Sequence, residues 1–337
     1  MGPRRDVAIV IVSYRTAQLT INSLASLRAE RGSADLSLRV YVVDNASGDF
    51  AAIDRAVHEN AWASWVTVIA APRNGGFSYG NNRAIEQACA TGIPDYFYLL
   101  NPDTEVRPGA IRTLIEFLEA HPNAGIAGSS IELADGTDWP IAFRFPSPLG
   151  ELVGGLSVGL VSRALRRWEV PQRLPKVAQP VDWICGASMM IRANVFAAIG
   201  ALDENYFLYF EETDLCLRAQ RAGIETWYVP ASRIMHIIGQ STQLTELEKL
   251  PRRLPAYWFE SRRRYFATAF GVRRAILVDI VALVAHAVGW LKRVLTGRRR
   301  TAVPRFLRDL LKHSIVWPRN RRIPPIRTVR PYSGSRS

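Results

Sequence analysis

Four short apolar runs, each closing on a polar cluster, constrain this chain more than any other feature. Val7 to Val12 leads into Ser13-Tyr14-Arg15, and Leu38 to Val43 into Asp44-Asn45. Trp65 to Ala70 precedes Asn74-Gly75-Gly76, and Tyr96 to Leu100 ends at Asn101-Pro102-Asp103. Runs of this length bounded by turn formers read as buried strands. Between them lie segments of helical spacing: Leu19, Ile21, Leu24 and Leu27 in the first, then Phe50 to Ala61, a segment reaching Ala90, and Gly109 to Ala120 after Pro108. A further strand is expected over Gly125 to Ile131. Strands alternating with helices predict an α/β fold, a mostly parallel sheet covered on both faces and joined by right-handed crossovers. The four polar clusters then share one rim, the carboxyl end where open α/β sheets bind ligands.

The 337 residues suffice for one large α/β domain with an appendage, and 48% hydrophobic content excludes wholesale disorder. Cys89, Cys185 and Cys216 form neither a metal pattern nor a disulfide framework, which fits a reducing compartment. The apolar run near the start is too short for a signal peptide, so a cytoplasmic location is expected. Pro140, Pro146, Pro148, Pro171, Pro175 and Pro180 predict loops and short pieces over 135–180, with Gly154-Gly155 as a mobile point. Order returns with a strand over Val181 to Arg192, a helix over Ala193 to Ile199, a helix over Thr213 to Ala222 stopped by Gly223, and a strand over Glu225 to Val229.

Charge divides the chain. The net charge is +13, yet from Pro251 onward basic residues outnumber acidic ones 21 to 3, leaving the first 250 residues mildly acidic. A basic tail points to phosphates, on nucleic acid or on an anionic membrane surface. Ala275 to Leu291 is short for a membrane span and contains Asp279. Asp279, His286 and Arg293 recur every seven residues, which predicts a helix with a narrow polar stripe and a wide apolar face. In a second helix after Pro304, Phe306, Leu307, Leu310, Leu311 and Ile315 line one side, opposite Arg305, Arg308, Asp309 and Lys312. Two arrangements remain open: helices lying in a membrane interface, or a packed helical subdomain or dimer interface with a solvated basic face.

Three groups carry candidate chemistry. Gly75, Gly76 and Gly80 open a helix, where amides can cradle phosphate, but their spacing is not the dinucleotide fingerprint and equally suits a strand–helix turn. Glu211, Glu212 and Asp214 follow the aromatic run Tyr206 to Phe210; clustered carboxylates raise one another's pKa, while a helix N-terminus also favours acids. His236 lies among aliphatics, an ordinary setting for a core histidine.

Assembled in order, the segments Ile11-Val12-Ser13-Tyr14-Arg15, Val42-Val43-Asp44-Asn45-Ala46-Ser47, Asn74-Gly75-Gly76-Phe77, Leu100-Asn101-Pro102-Asp103, Gly186-Ala187 and Phe210 to Arg218 resemble the inverting nucleotide-sugar glycosyltransferases of family two. Within that family the chain is similar to bacterial rhamnosyltransferases of cell-surface polysaccharide assembly. The resemblance covers roughly residues 7–240 and implies a GT-A fold, with a catalytic domain over 1–250 (nucleotide half 1–134, acceptor half 135–250) and a basic helical region over 251–337. It implies that Ser13, Tyr14, Arg15, Asp44, Asn74, Gly75, Gly76, Asn82, Asn101 and Asp103 contact the donor. Asp103 stands at the last carboxylate of the family's D-x-D motif, whose first is replaced by Asn101, and His236 matches a later metal- or diphosphate-contacting histidine. Glu212 aligns with the general base, with Glu211 and Asp214 as competitors. The implied cofactor is Mg²⁺ or Mn²⁺, and the implied donor is dTDP-L-rhamnose. The implied acceptor is polyprenyl-linked or a polysaccharide, reached by an enzyme peripheral on the inner face of the plasma membrane, with an oligomer compatible. A nucleotidyltransferase, or a nucleic-acid binder acting through the tail, is the alternative; no nucleic-acid reader motif supports the latter. On this reading a chain ending near Pro251 keeps its nucleotide site and loses membrane attachment.

Overall fold

The computed structural model describes residues 4–32, 35–133, 135–156, 166–172, 176–237, 252–297 and 303–330. The first half alternates as expected: β1 (Arg5–Ser13), α1 (Ala17–Glu30), β2 (Leu36–Asp44), α2 (Phe50–Glu59), β3 (Val66–Ala70), α3 (Gly76–Thr91), β4 (Tyr96–Leu100), β5 (Thr104–Val106), α4 (Ala110–Ala120) and β6 (Ala124–Glu132). Next come β7 (Asp138–Trp139), β8 (Ala142–Phe143), α5 (Pro148–Leu156), β9 (Gln179–Val181), β10 (Trp183–Ile184), β11 (Ser188–Arg192), α6 (Ala193–Ile199), α7 (Glu211–Arg221) and β12 (Glu225–His236). The C-terminal helices are α8 (Ala256–Phe270), α9 (Val272–Leu295) and α10 (Phe306–His313).

The main sheet runs β3-β2-β1-β4-β11-β6-β12-β5. Strands β3, β2, β1 and β4 are parallel, as are β6 and β12; β11 is antiparallel to both its neighbours. The chain moves from β1 out to β3 and then returns to the other side of β1 with β4, so a topological switch point lies between β1 and β4, the position that favours a ligand. Aliphatic side chains alternate onto two cores. Val7, Ile9, Ile11 and Tyr98 pack with α1, α2 and α4 on one face; Ala8, Val10, Phe97 and Leu99 pack with α3, α6 and α7 on the other. Buried Glu30 secures one layer by accepting the amides of Gly109 and Ile111 at the N-terminal end of α4.

Some local expectations change. The single strand expected over 181–192 is three short strands, broken at Asp182 and at the Cys185-Gly186-Ala187 turn. The strand expected to end at Val229 continues to His236 through a register irregularity between Val229 and Arg233, which carries His236 into pairing with β5. Gly154-Gly155, expected as a mobile point, lies in α5, and an added Cβ on Gly155 would meet Ala285 of α9 at 2.7 Å.

The C-terminal helices form a layer on the body. Tyr206 is fully buried in a core with Tyr265, Phe266, Ala275 and Val278. Buried Arg264 pairs with Asp203, and buried Arg262 bridges Glu151 of α5 and Asp279 of α9. The last described residues return across the body: Ala201 N–H donates to Val329 O at 2.9 Å and Glu204 N–H to Arg327 O at 2.7 Å. A chain cut near Pro251 would therefore lose part of the core around Tyr206, so its nucleotide site cannot be expected to survive intact. The polar stripe of α9 also reverses direction, because Asp279 faces inward, where Arg262 and the Ile315 amide satisfy it. Asp309 on α10 is likewise buried against Arg253 instead of lying on a solvated side.

Candidate active site

Pairing of β5 with β12 builds the first part of the site. His236 lies opposite Thr104, and its Nε2 sits 3.0 Å from Asp103 Oδ1, although the two residues are far apart in sequence. Asp103 is only 2% exposed, and its carbonyl oxygen accepts the Ile237 amide. Pro102 ends the β4 ladder, and Asn101 is held by its amide to Ala187 O and by Thr104 Oγ1 on its own carbonyl. Among the described residues no group of three His, Cys, Asp or Glu side chains gathers as a full metal cage. The convergent oxygen and nitrogen of Asp103 and His236 fit a cation that takes its remaining ligands from a diphosphate and water.

The second part is the start of α7. Tyr209 and Phe210 adopt φ values of 72° and 67°, left-handed conformations that side chains of this size rarely tolerate. This double turn delivers Glu211, Glu212 and Asp214 to the first turn of the helix. Glu212 Oε1 accepts the Gly186 amide at 3.0 Å, and a Cβ on Gly186 would crowd that same oxygen, so glycine is what lets the carboxylate in. Burial raises the Glu212 pKa, with its own amide and that of Gly186 opposing the shift. Glu211 is raised well above the ordinary carboxylate range, first by burial and then by the charge of Glu212. Among the described residues Glu211 Oε2 has no hydrogen-bond partner.

Both parts open into one cleft of about 460 Å³, in which Asn101, Asp103, His236, Glu211 and Glu212 share the walls. Much of the remaining wall is aromatic: Phe77, Trp139, Phe143, Trp183, Phe210 and Trp258. Phe143 and Trp183 stack with ring centres 4.2 Å apart. Flat apolar faces beside a few convergent polar groups suit a sugar, whose C–H faces pack on rings while its hydroxyls need polar partners. The wall was not legible in the sequence because it is assembled from α3, β7, β8, β10, the residue before α7, and α8; the clue available was the tryptophans Trp139, Trp183 and Trp258. Cys185 also lines the cleft, but burial pushes its thiol up to about 12, so it is not a thiolate at neutral pH.

Asp214 does not line the cleft: it pairs with Arg218 at 2.8 Å and accepts the Tyr206 hydroxyl at 3.5 Å. Burial still raises its pKa, outweighing Arg218. Asn82 is fully buried and ties α3 to Leu202 and Glu204, a structural bridge in place of the expected donor contact. The phosphate-cradle reading of the glycines also gives way. Gly75 N–H reaches Asn45 Oδ1, Gly76 N–H donates to Asn74 Oδ1, and Phe77 N–H to Phe207 O, so these amides are used internally. Gly76 has a φ of 86°, and a Cβ there would collide with the Phe207 backbone, so its role here is close packing.

At the rim above β1 and β2, Ser13 is buried in a hydroxyl network with Thr16 and Thr20. Tyr14 and Arg15 are exposed, the guanidinium lying 5.3 Å from the ring centre. Asp44 accepts from the Ser47 amide and hydroxyl and from the Phe50 amide, which shapes the turn into α2. Asn45, not singled out from sequence, joins that turn to the start of α3 through Asn74, Gly75 and Gly76.

Comparison with known proteins bears on this geometry. The family model described as glycosyltransferase like family 2 matches residues 3–255. A Mycobacterium tuberculosis protein named N-acetylglucosaminyl-diphospho-decaprenol L-rhamnosyltransferase is 30% identical over 247 residues, covering 69% of this chain and 76% of the relative. The Escherichia coli rhamnosyltransferase WbbL is 28% identical over 166 residues, covering 48% of this chain and 60% of its own. Among solved structures, GalNAc-T7 with UDP, GalNAc and Mn²⁺ superposes with a TM-score of 0.58 at 13% identity, covering 93% of this chain and 58% of that one. At that identity the likeness speaks for the fold, which is GT-A-like.

Proposed function

The chain belongs to glycosyltransferase family 2, and on that premise we propose that it moves a hexose, L-rhamnose from dTDP-L-rhamnose, onto a hydroxyl of a polyprenyl-linked glycan with inversion. The observation that carries this reading is one cleft that brings together Asp103–His236, Glu211–Glu212 and an aromatic wall. The relatives' names supply the sugar and the lipid-linked acceptor. With membership in this family, the nucleotidyltransferase and nucleic-acid readings lose their motivation.

Asp103 and His236 would hold Mn²⁺ or Mg²⁺ at the donor diphosphate. When bound, the cation offsets charge on the departing nucleoside diphosphate. Glu212, oriented by the Gly186 amide, takes the proton of the acceptor hydroxyl. The acceptor oxygen bonds to the anomeric carbon from the face opposite the diphosphate as the carbon–diphosphate bond breaks. No enzyme-bound sugar is needed. A raised pKa suits Glu212 to this task, since a base is most effective when its pKa approaches the working pH.

The test is nucleoside diphosphate release from a panel of nucleotide sugars with a polyprenyl-diphosphate-GlcNAc acceptor and Mn²⁺. Turnover restricted to dTDP-L-rhamnose is expected, with Asp103→Ala losing Mn²⁺-dependent dTDP binding while its melting transition stays cooperative. Turnover with a different donor would replace the sugar assignment, and unchanged dTDP and Mn²⁺ affinity in Asp103→Ala would remove Asp103 from the cation site.

A further inference from the structure

Helix α9 is built inside out. Its buried face carries small residues and one acid: Ala275, Val278, Asp279, Ala282, Ala285 and Gly289. Its outward face carries the large aliphatics. Leu277 and Val284 are each 59% exposed and Leu295 is 78% exposed, with Ile280, Val288 and Leu291 between them also exposed. These six recur at intervals of three and four residues and form one stripe along a 24-residue helix, about 36 Å long. A water-facing helix ordinarily shows the reverse arrangement.

We propose that this stripe is a membrane-docking surface that lies flat in the interfacial region of an anionic phospholipid leaflet. Charge selects the occupant. Arg273 and Arg274 are exposed at one end and Lys292 at the other, and no acidic residue lies on the exposed face between them. Such ends suit lipid phosphates while the aliphatic middle enters the acyl boundary. A second copy of this chain would set cations against cations, in parallel or antiparallel self-packing.

Length and hydropathy would also let α9 cross a bilayer, but its inner face argues for lying on one. Asp279 there is satisfied by Arg262 and by the Ile315 amide at 2.8 Å. A Cβ on Gly289 would collide with the Gly155 carbonyl of α5, so the two helix backbones meet closely. Spanning would break this packing and bring the charge pair into hydrocarbon. Docking keeps it, and Arg262 also bonds Glu151, a residue of the cleft wall. The docked face is thus one helix layer from the cleft. This inference does not depend on which sugar is transferred.

Flotation of the full-length protein tests it, using vesicles of phosphatidylcholine alone and with about 30% phosphatidylglycerol. The protein should float with the anionic vesicles at low salt and far less with neutral ones. The double variant Val284→Glu/Leu291→Glu should lose about tenfold or more of that binding, while Val284→Leu/Leu291→Val keeps it. Both replaced positions are exposed, so melting and dTDP binding, followed in parallel, should be unchanged. Wild-type protein that stays at the bottom with anionic vesicles overturns the proposal, as does a glutamate variant that floats like wild type. A concentration-dependent dimer dissolved by the glutamate variant, with no flotation of wild type, would assign the face to a second copy.

Discussion

The cleft and the C-terminal layer both bury charge, and they treat it in opposite ways. In the layer, Arg262 sits between Glu151 and Asp279, Arg264 is matched to Asp203, and Asp309 to Arg253. Each charge has an opposite partner and the hydrogen bonds that go with it. In the cleft, Glu211 is buried beside Glu212, with no partner for one oxygen among the described residues, just after two left-handed aromatic residues. A paired buried ion fixes how elements meet; a like-charged pair works against stability, and here the charge of Glu212 adds to burial in raising Glu211. The contrast separates carboxylates that hold the fold from those poised for proton transfer, and Asp214, paired with Arg218, falls with the first kind.

The largest effect should come from Glu212→Gln. Removing a general base typically lowers turnover about 10²–10⁴-fold, and an amide of the same shape should leave dTDP affinity and melting nearly unchanged. A loss below tenfold in steady-state turnover would shift the base to Glu211. Arg262→Met should behave in the opposite manner. It leaves buried Asp279 and partly buried Glu151 without their cation, a loss of about 3–5 kcal/mol in urea unfolding, while the protein that remains folded retains base-dependent chemistry. If Arg262→Met proves as stable as wild type, the division between the two regions fails.

Much of the sheet was legible in advance because each parallel strand is an apolar run that stops at a polar turn, and period alone locates such runs. The pieces between 135 and 192 were harder. Strands of two or three residues such as β7, β8 and β10 carry no period, and they exist because β6, β12 and each other supply partners. Motif positions Asp103, His236, Glu211 and Glu212 do share the cleft, yet Asn82 is held by Leu202 and Glu204, partners that only the tertiary fold reveals, and Asp214 by Arg218 one turn along its own helix. The amphipathic period of α9 was visible, but period gives the width of a stripe and not its direction. Asp279 turns inward because Arg262, on another helix, is there to meet it.

A smaller effect concerns the pH profile. Transfer needs an ionised Glu212, whose pKa burial raises, so turnover should rise with pH across a limb that lies above the ordinary carboxylate range. Burial and the charge of Glu212 keep Glu211 protonated while Glu212 ionises, so Glu211→Gln, which carries no charge either, should leave that limb in place. A limb in kcat against pH that moves to lower pH would mean that Glu211 already carries charge while Glu212 titrates.

The smallest effect is on stability, and its sign follows from linkage. In the unfolded chain Glu211 ionises near the ordinary value of about 4.3, whereas in the folded chain burial and Glu212 hold it well above that. Between those two values the unfolded state binds fewer protons than the folded state, so this group makes stability fall as pH rises through the window. Glu211→Gln cannot ionise, so it escapes that fall. The variant should match wild type most closely at acidic pH and exceed it at neutral pH, by on the order of 1 kcal/mol. Melting both proteins across that pH range measures the gap directly. A gap that stays constant with pH would show that Glu211 is solvated well enough to ionise normally, and the cleft would then hold its carboxylates no differently from the paired ions of the C-terminal layer.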